Sequence, residues 1–249
     1  MRYPWPLVEA TLTRRYKRFL CDGLFDDGAP FTAHCANPGR MTSAFAEGAR
    51  ARLSLRDDPK RKLRWTVEQI RIGEAWVMVN TALANQVVAE GISAGLVPEL
   101  GGYEHLLTEQ RYGERSRVDL LLLRGGALPP GAPPRRGATT ATAAAYVEVK
   151  SVTLREGARA LFPDAVTARG ARHMEELAGM VRAGHRAVVF FLVSRDDVSQ
   201  AGVADAIDPA YGAALRAAVA EGVEVLAWQS EVAAEGLSLG RSLPFVLPP

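Results

Sequence analysis

The sequence predicts a two-domain α+β or α/β protein, in which a small β-barrel precedes a mixed sheet flanked by helices. Short strand-like runs separated by turn residues fill the first 79 positions. The first long helical periodicity begins at Asn80, and helices then alternate with apolar strands. Residues 187–193 form one continuous apolar run, which is typical of a central strand covered on both faces. The predicted domains are therefore residues 1–79 and 80–249.

Composition sets broad limits on function. The 249 residues are 48% hydrophobic and 23% charged, which is ordinary for a soluble globular protein. A net charge of +2 is too small to indicate nucleic-acid binding by itself. Cys21 and Cys35 form no C-x-x-C motif and no disulfide framework. Without an apolar leader or a run long enough to span a bilayer, we expect a cytoplasmic protein that does not enter membranes.

The strand spacing of the first domain favours an OB-type barrel, whose concave face commonly binds nucleic acid. Residues 14–19 and 60–65 each place cations beside an aromatic side chain, a combination suited to phosphate contact and base stacking. The alternative is that each cluster is simply a solvated basic surface. Residues 34–41 contain His34 and Cys35 but no second cluster that would complete a zinc site. We expect a polar turn there, with Gly39 supplying a permissive backbone.

The first helix of the second domain is predicted over residues 80–92, with Asn80 or Thr81 capping its start. Glu90 lies near its C-terminal end, where the helix dipole disfavours a carboxylate. That misplacement fits a functional role, and a solvent-facing glutamate fits the pattern about as well. A second helix is predicted over residues 171–183, and the cations Arg169, Arg172 and His173 near its start would favour an incoming phosphate.

Two strands carry charges where burial is expected. Asp119 lies in the apolar run 116–123, and Glu148 and Lys150 lie on one face of the run 146–152. If these strands pair as a hairpin, Asp119 approaches Glu148, and a divalent cation would relieve the repulsion between the carboxylates. The alternative is a buried ion pair with a structural role only. The intervening residues 124–145 are rich in Gly, Pro, Ala and Thr, and we predict a mobile hairpin loop there.

An aspartate followed by Glu-x-Lys on the next strand resembles the core of the PD-(D/E)xK nucleases. The resemblance implies that Asp119 and Glu148 bind Mg²⁺ or Mn²⁺ and that Lys150 assists attack on a phosphodiester. It also implies a supporting catalytic role for Glu90, since many nucleases of this fold add an acidic residue from the preceding helix. The literal Pro-Asp pair ending at Asp164 is a decoy, because it follows the Glu-x-Lys.

Longer motifs resemble the sugar fermentation stimulation protein family, SfsA, across residues 14–228. They are the segments 14–20, 34–39, 80–85, 97–103, 112–119, 147–154 and 162–170. The resemblance implies an N-terminal OB-like domain, a nuclease-like C-terminal domain, DNA binding and a link to sugar metabolism. Ala36, Pro38 and Arg40 depart from the family's usual His-Cys-Pro-Asn-Thr-Gly-Ser-Met turn, and the 124–145 insert exceeds the usual loop.

Two hypotheses follow. The first is a Mg²⁺- or Mn²⁺-dependent nuclease acting on single- or double-stranded DNA with weak sequence specificity. The second is a non-catalytic DNA-binding regulator of sugar metabolism that uses the nuclease-like domain as a scaffold. In both cases the predicted nucleic-acid contacts are Arg14, Arg15, Tyr16, Lys17, Arg18, Lys60, Arg61, Lys62, Arg64 and Arg169.

Overall fold

The computed structural model describes residues 1–112, 116–125 and 144–248, which form sixteen strands and three α-helices. The strands of the N-terminal part are β1 (Val8–Tyr16), β2 (Leu20–Phe25), β3 (Pro30–Cys35), β4 (Arg50–Leu55), β5 (Trp65–Ile72) and β6 (Ala75–Met78). The strands that follow are β7 (His105–Tyr112), β8 (Ser116–Leu123), β9 (Ala144–Val152), β10 (Leu154–Glu156), β11 (Arg159–Phe162), β12 (Arg186–Val193), β13 (Gln200–Val203), β14 (Glu224–Val232), β15 (Leu237–Ser242) and β16 (Phe245–Val246). The helices are α1 (Ala84–Ser93), α2 (Ala168–Arg182) and α3 (Pro209–Ala220).

The N-terminal strands form a closed five-stranded barrel, as predicted. Around the barrel the order is β1, β2, β3, β5 and β4, and β4 pairs again with β1. The closing pair is β3 with β5, which run parallel from Ala33 opposite Trp65 to Cys35 opposite Val67. Closure buries one face of every strand and gives the barrel its own apolar core. Both cysteines are free and buried in that core.

The C-terminal part is a six-stranded mixed sheet flanked by helices, again as predicted. Its order is β15, β14, β12, β9, β8 and β7, with β9, β12 and β14 parallel and the outer pairs antiparallel. The predicted central strand is β12, which is buried from Ala187 to Val193. Helix α1 packs on one face of the sheet, and α2 and α3 pack on the other. Two apolar layers therefore enclose the sheet.

Helix starts follow local capping. Asn80 caps a short 3₁₀ turn before α1 by accepting from the Ala82 amide. Helix α2 begins three residues earlier than predicted, because the Thr167 hydroxyl accepts from the Gly170 amide and caps the helix there. Asp208 caps α3 in the same way.

A second small sheet was not predicted. Strands β10, β11, β13 and β16 form it in that order, and each is only two to four residues long. Runs this short fall below the length at which apolar alternation indicates a strand.

The two parts of the chain pack against each other. The first residues lie along β15, since the Tyr3 amide donates to the Glu235 carbonyl and the Leu237 amide donates to the Met1 carbonyl. Arg195 is fully buried, and its guanidinium donates to the carbonyls of Ser43 and Thr153. Most of the predicted 124–145 loop, residues 126–143, lies outside the described residues. Within the described ranges, no helix has the length and apolar character needed to cross a membrane.

Candidate active site between strands β8 and β9

Pairing of β8 with β9 brings Asp119 to Glu148. The strands run antiparallel, and the pairing begins at Leu120 opposite Val147. At Asp119 a side-chain hydrogen bond takes the place of the backbone pairing, because Oδ2 of Asp119 accepts from the Val149 amide at 2.7 Å. The other oxygen accepts from Asn85 Nδ2 at 2.8 Å, which ties α1 to the site. Both carboxylate oxygens are therefore held by amide donors.

Glu148 lies at the centre of a cluster of charged side chains. Its side chain is 3% exposed, and Oε1 accepts from Lys150 Nζ at 2.6 Å. The same oxygen contacts Nδ1 of His173, on α2. Arg169 Nε donates to His173 Nε2 at 3.2 Å. That bond makes Nε2 the acceptor, so in the neutral ring the proton is on Nδ1 and points at Glu148.

The two carboxylates have opposite pKa shifts. Burial raises the pKa of Asp119 to about 6, and the nearby Glu148 charge adds to it, although the Val149 and Asn85 hydrogen bonds oppose the rise. Burial also raises the pKa of Glu148, but the bond from His173 and the charge of Lys150 outweigh it, so the net shift is downward. At neutral pH the site therefore holds a firmly ionised glutamate beside an aspartate that is protonated more easily than usual.

Several buried polar atoms at this site have no hydrogen-bond partner among the described residues. They are Glu148 Oε2, Glu176 Oε2 and the Tyr112 hydroxyl. Burial, followed by the charges of Glu148 and Glu176, raises the pKa of Tyr112, which places these groups near one another. An unpaired buried carboxylate oxygen is costly and indicates a missing charge partner.

The donor set fits a cation that needs few protein ligands. Within the described residues, no group of three or more His, Cys, Asp and Glu side chains is arranged to hold a metal ion. Asp119 and Glu148 together offer carboxylate oxygens of the type that Mg²⁺ prefers. Mg²⁺ usually takes one or two carboxylates and completes its shell with waters and substrate phosphates.

The structure does not bring Glu90 to these carboxylates. Its own carboxylate contacts the Met1 amino group at 2.6 Å and Gln86 Nε2 at 2.8 Å. Asn85 is the α1 residue that reaches Asp119. Five residues along an α-helix correspond to a rotation of about 140° from the starting direction. Asn85 and Glu90 therefore point to different sides of α1.

The first basic cluster occupies the end of β1 and the turn into β2. Arg14 pairs with Asp22 at 2.8 Å and covers the Tyr16 ring at 4.6 Å. Lys17 and Arg18 are exposed in the turn itself. Arg15 has a different environment, because its guanidinium donates to the carbonyls of Asn37, Gly39 and Arg40. Arg15 thus holds the turn at residues 37–40 in place.

The second basic cluster lies beside the first on the barrel. Its exposed members are Lys60, Lys62 and Arg64, while Arg61 donates to Thr66 Oγ1. His34 joins the clusters, since it pairs with Leu20 on one side and with Thr66 on the other. Its ring stacks on the exposed Phe19 at 6.3 Å. Burial and then the Arg61 charge lower the pKa of His34.

A glycine is required at position 39 because the Asp164 side chain packs directly against its backbone. Its φ lies outside the left-handed region, so the predicted permissive backbone is not what this position needs. A Cβ here would overlap the carboxylate of Asp164. Asp164 in turn accepts from the Met41 amide at 3.1 Å. The aspartate of the decoy Pro-Asp pair therefore docks the barrel turn onto the C-terminal part.

That docking creates a cavity of about 260 Å³ at the predicted catalytic lysine. Lys150 and Asn85 line one side, and the turn residues Asn37, Pro38 and Gly39 line another. A second cavity of about 450 Å³ also contacts Pro38 and Gly39 and extends towards the β1–β2 turn. The cavity at Lys150 is therefore lined by both parts of the chain, and the two carboxylates are not among its lining residues.

Sequence reasoning did not place Asn85 or His173 beside the carboxylates, since His173 was expected only among the cations near the start of the second helix. Asn85 is an ordinary polar residue in the first turn of α1, and nothing in its spacing indicates which strand it faces. His173 lies one turn after Arg169, and that i, i+4 pairing was the available signal.

Comparison with known proteins agrees with this architecture. The family model for the SfsA N-terminal OB domain matches residues 13–79, and the model for the sugar fermentation stimulation protein RE domain matches residues 82–236. The chain belongs to the sugar fermentation stimulation protein family. A family homolog from Geotalea uraniireducens is 48% identical over 243 residues, covering 98% of each chain. Another from Rhodospirillum centenum is 48% identical over 244 residues, again covering 98% of each.

A solved structure is also similar. Pyrococcus furiosus SfsA, described as a complex with Ca²⁺, superposes with a TM-score of 0.82 at 26% identity. The match covers 99% of this chain and 98% of that one. Both the barrel and the mixed sheet are thus features of the family fold.

Proposed function

We propose that this protein binds DNA and hydrolyses phosphodiester bonds at Asp119, Glu148 and Lys150 with Mg²⁺ or Mn²⁺. The observation that carries the proposal is the buried Oε2 of Glu148, which has no partner within the described residues. It lies near a second carboxylate, that of Asp119, and Lys150, the partner of the other Glu148 oxygen, lines a cavity. A structural ion pair would leave no carboxylate oxygen unsatisfied.

A bound divalent cation would serve this site well. Asp119 and Glu148 would hold it, and when bound it would supply a Lewis acid for the phosphate and lower the pKa of a water. The Ca²⁺ complex of the Pyrococcus furiosus relative supports a hard divalent cation, since Ca²⁺ and Mg²⁺ share a preference for oxygen ligands.

The protein's own groups divide the remaining work. Lys150 is 11% exposed in its side chain and lines the cavity, so it is placed to steady negative charge on a phosphate. Asn85 and the Val149 amide fix the Asp119 carboxylate. His173 fixes Glu148, and Arg169 fixes His173. Each proposed ligand therefore has a neighbour that sets its orientation.

DNA binding is the part of the proposal that the barrel supports. Exposed cations of both clusters flank the stacked rings of Phe19 and His34 on one region of the barrel. Cations that follow a phosphate backbone, together with aromatic rings that accept bases, form a typical nucleic-acid surface. We expect affinity to fall steeply with salt.

The second candidate is a non-catalytic DNA-binding regulator of sugar metabolism. One observation favours it, because Lys150 and His173 both engage Glu148 Oε1. In this arrangement the Lys150 ammonium group is paired with Glu148. A scaffold of this kind would bind DNA and show no turnover with any divalent cation.

The test is cleavage of labelled single- and double-stranded DNA with Mg²⁺, Mn²⁺ or EDTA. Lys150→Ala and Glu148→Gln should abolish metal-dependent cleavage and keep DNA binding. Arg159→Ala is a suitable control, since this side chain is half exposed and only loosely paired with Glu156. Cleavage that persists in EDTA or in Lys150→Ala would exclude the assignment, and binding without any cleavage would favour the regulator.

A further inference from the structure

The two cavities adjoin each other on either side of the barrel turn. The smaller one contains Lys150, the larger one reaches the β1–β2 turn, and both contact Pro38 and Gly39. A chain that leaves one cavity across these two residues enters the other. The cavities therefore define a route that leads from the barrel surface to the proposed catalytic lysine.

The larger cavity is strongly cationic. Among the described residues that line it, four carry positive charge and none carries negative charge. The four are Arg15, Lys17, Arg18 and Arg40. Arg15 is fixed by three backbone carbonyls, and the other three are exposed. The neighbouring Arg14, which is neutralised by Asp22, does not line the cavity. Such a lining suits a run of phosphates.

The cations of the turn are kept at a conformational cost. Lys17 and Arg18 have φ values of 49° and 65°. The Phe19 amide donates to the Lys17 carbonyl, which makes Arg18 the centre of a tight γ-turn with positive φ. Asn or Gly would adopt these conformations with far less strain. Strain of this kind is concentrated at functional sites, and here it falls on two cations that line the larger cavity.

The size of the route selects the form of nucleic acid. The cavity at Lys150, about 260 Å³, lies just below the range of roughly 300–1,000 Å³ that holds small-molecule ligands. It can receive a group of about nucleotide size and is too small for a base-paired duplex. An aromatic side chain lines each cavity, Phe162 in the smaller and Tyr16 in the larger.

We propose that the protein takes single-stranded nucleic acid along this route. The phosphates follow Arg15, Lys17, Arg18 and Arg40, the strand crosses Pro38 and Gly39, and one nucleotide enters the cavity at Lys150. The proposal rests on the proposed function in two respects, namely that the barrel binds nucleic acid and that chemistry takes place at Lys150. Binding along the route can be measured without any chemistry.

The test measures binding in EDTA by fluorescence anisotropy of a labelled oligothymidine and of a blunt duplex of equal length. The key variant is Lys17→Asn/Arg18→Gly, which removes two charges and suits the backbone of the turn. The control is Arg71→Gln/Arg182→Gln, which removes two exposed arginines, one from the β5–β6 hairpin and one from the far end of α2. Arg40→Gln is a second, single-charge variant.

We expect the single strand to bind more tightly than the duplex. For single strands, each lost phosphate contact reduces the slope of log affinity against log salt concentration by about 0.7. The slope of the key variant should therefore be smaller by about 1.4, which corresponds to roughly 25-fold weaker binding at 0.1 M salt. The control should change little. Tighter duplex binding, or equal losses in the two double variants, would overturn the route. If the protein prefers single strands but never cleaves them, the route is retained and the proposed catalysis is excluded. If it cleaves duplex DNA and the turn variant cleaves equally well, the catalysis is retained and the route is excluded.

Discussion

Replacing Gly39 with alanine should loosen the joint that forms the cavity at Lys150. The new methyl group would overlap the Asp164 carboxylate, which must move away and lose its bond to the Met41 amide. Forcing a methyl group into a packed contact costs about 1–3 kcal/mol. Removing the carboxylate by Asp164→Ala costs about 1.5–3 kcal/mol, because a hydrogen bond to a charged group is lost.

The double variant separates this explanation from a general effect of alanine on the turn. With Asp164→Ala already in place, the methyl group of Gly39→Ala meets no carboxylate, so the second change should cost almost nothing. The predicted coupling is therefore about 1–3 kcal/mol, within the range seen for residues in contact. Urea unfolding of the wild type, both single variants and the double variant measures it. Additive effects within about 0.5 kcal/mol would refute the close-approach account of Gly39.

Two further predictions concern buried charges. The pKa of Asp119 is about 6 in the folded chain against 3.8 for a free side chain, so its favourable contribution is full below pH 3.8 and is lost as pH rises through 6. In EDTA, Asp119→Asn should therefore gain up to about 3 kcal/mol relative to wild type between pH 4 and pH 7, and a pH-independent difference would contradict the raised pKa. Arg195→Met should lower the free energy of unfolding in urea by about 3–5 kcal/mol, since it removes the buried partner of Asp197 and the side-chain donor of two carbonyls. Arg155→Met, which removes an exposed partner of the same aspartate, should cost at most about 1 kcal/mol.

The fold was largely predictable because its signals are local. Alternation and turn residues indicated the barrel strands, and the apolar run 187–193 indicated the central strand β12. The adjacency of Asp119 and Glu148 followed from the assumption that successive strands pair. The small sheet of β10, β11, β13 and β16 was missed, since its pairing is set by tertiary contact between short segments.

The supporting residues of the site could not be predicted, because they depend on helix rotation and domain docking. The sequence favoured Glu90 on α1 for its chemistry, whereas the rotation of the helix brings Asn85 to Asp119. The sequence suggested that Gly39 provides backbone freedom, whereas the structure shows that a side chain there would overlap Asp164, which lies 125 positions later. Neither relation leaves a periodic trace in the sequence.

Docking also makes the barrel part of the cavity at Lys150. The turn that Arg15 holds lines the cavity at Lys150, and the same turn lines the larger, cationic cavity. Asp164 sets how closely that wall approaches the C-terminal sheet. The C-terminal sheet contributes the carboxylates and Lys150, and the barrel contributes the turn that lines one side of the cavity at that lysine. Under the function proposed above, selection of the strand and placement of the reactive phosphate would both depend on this joint between the two parts of the chain.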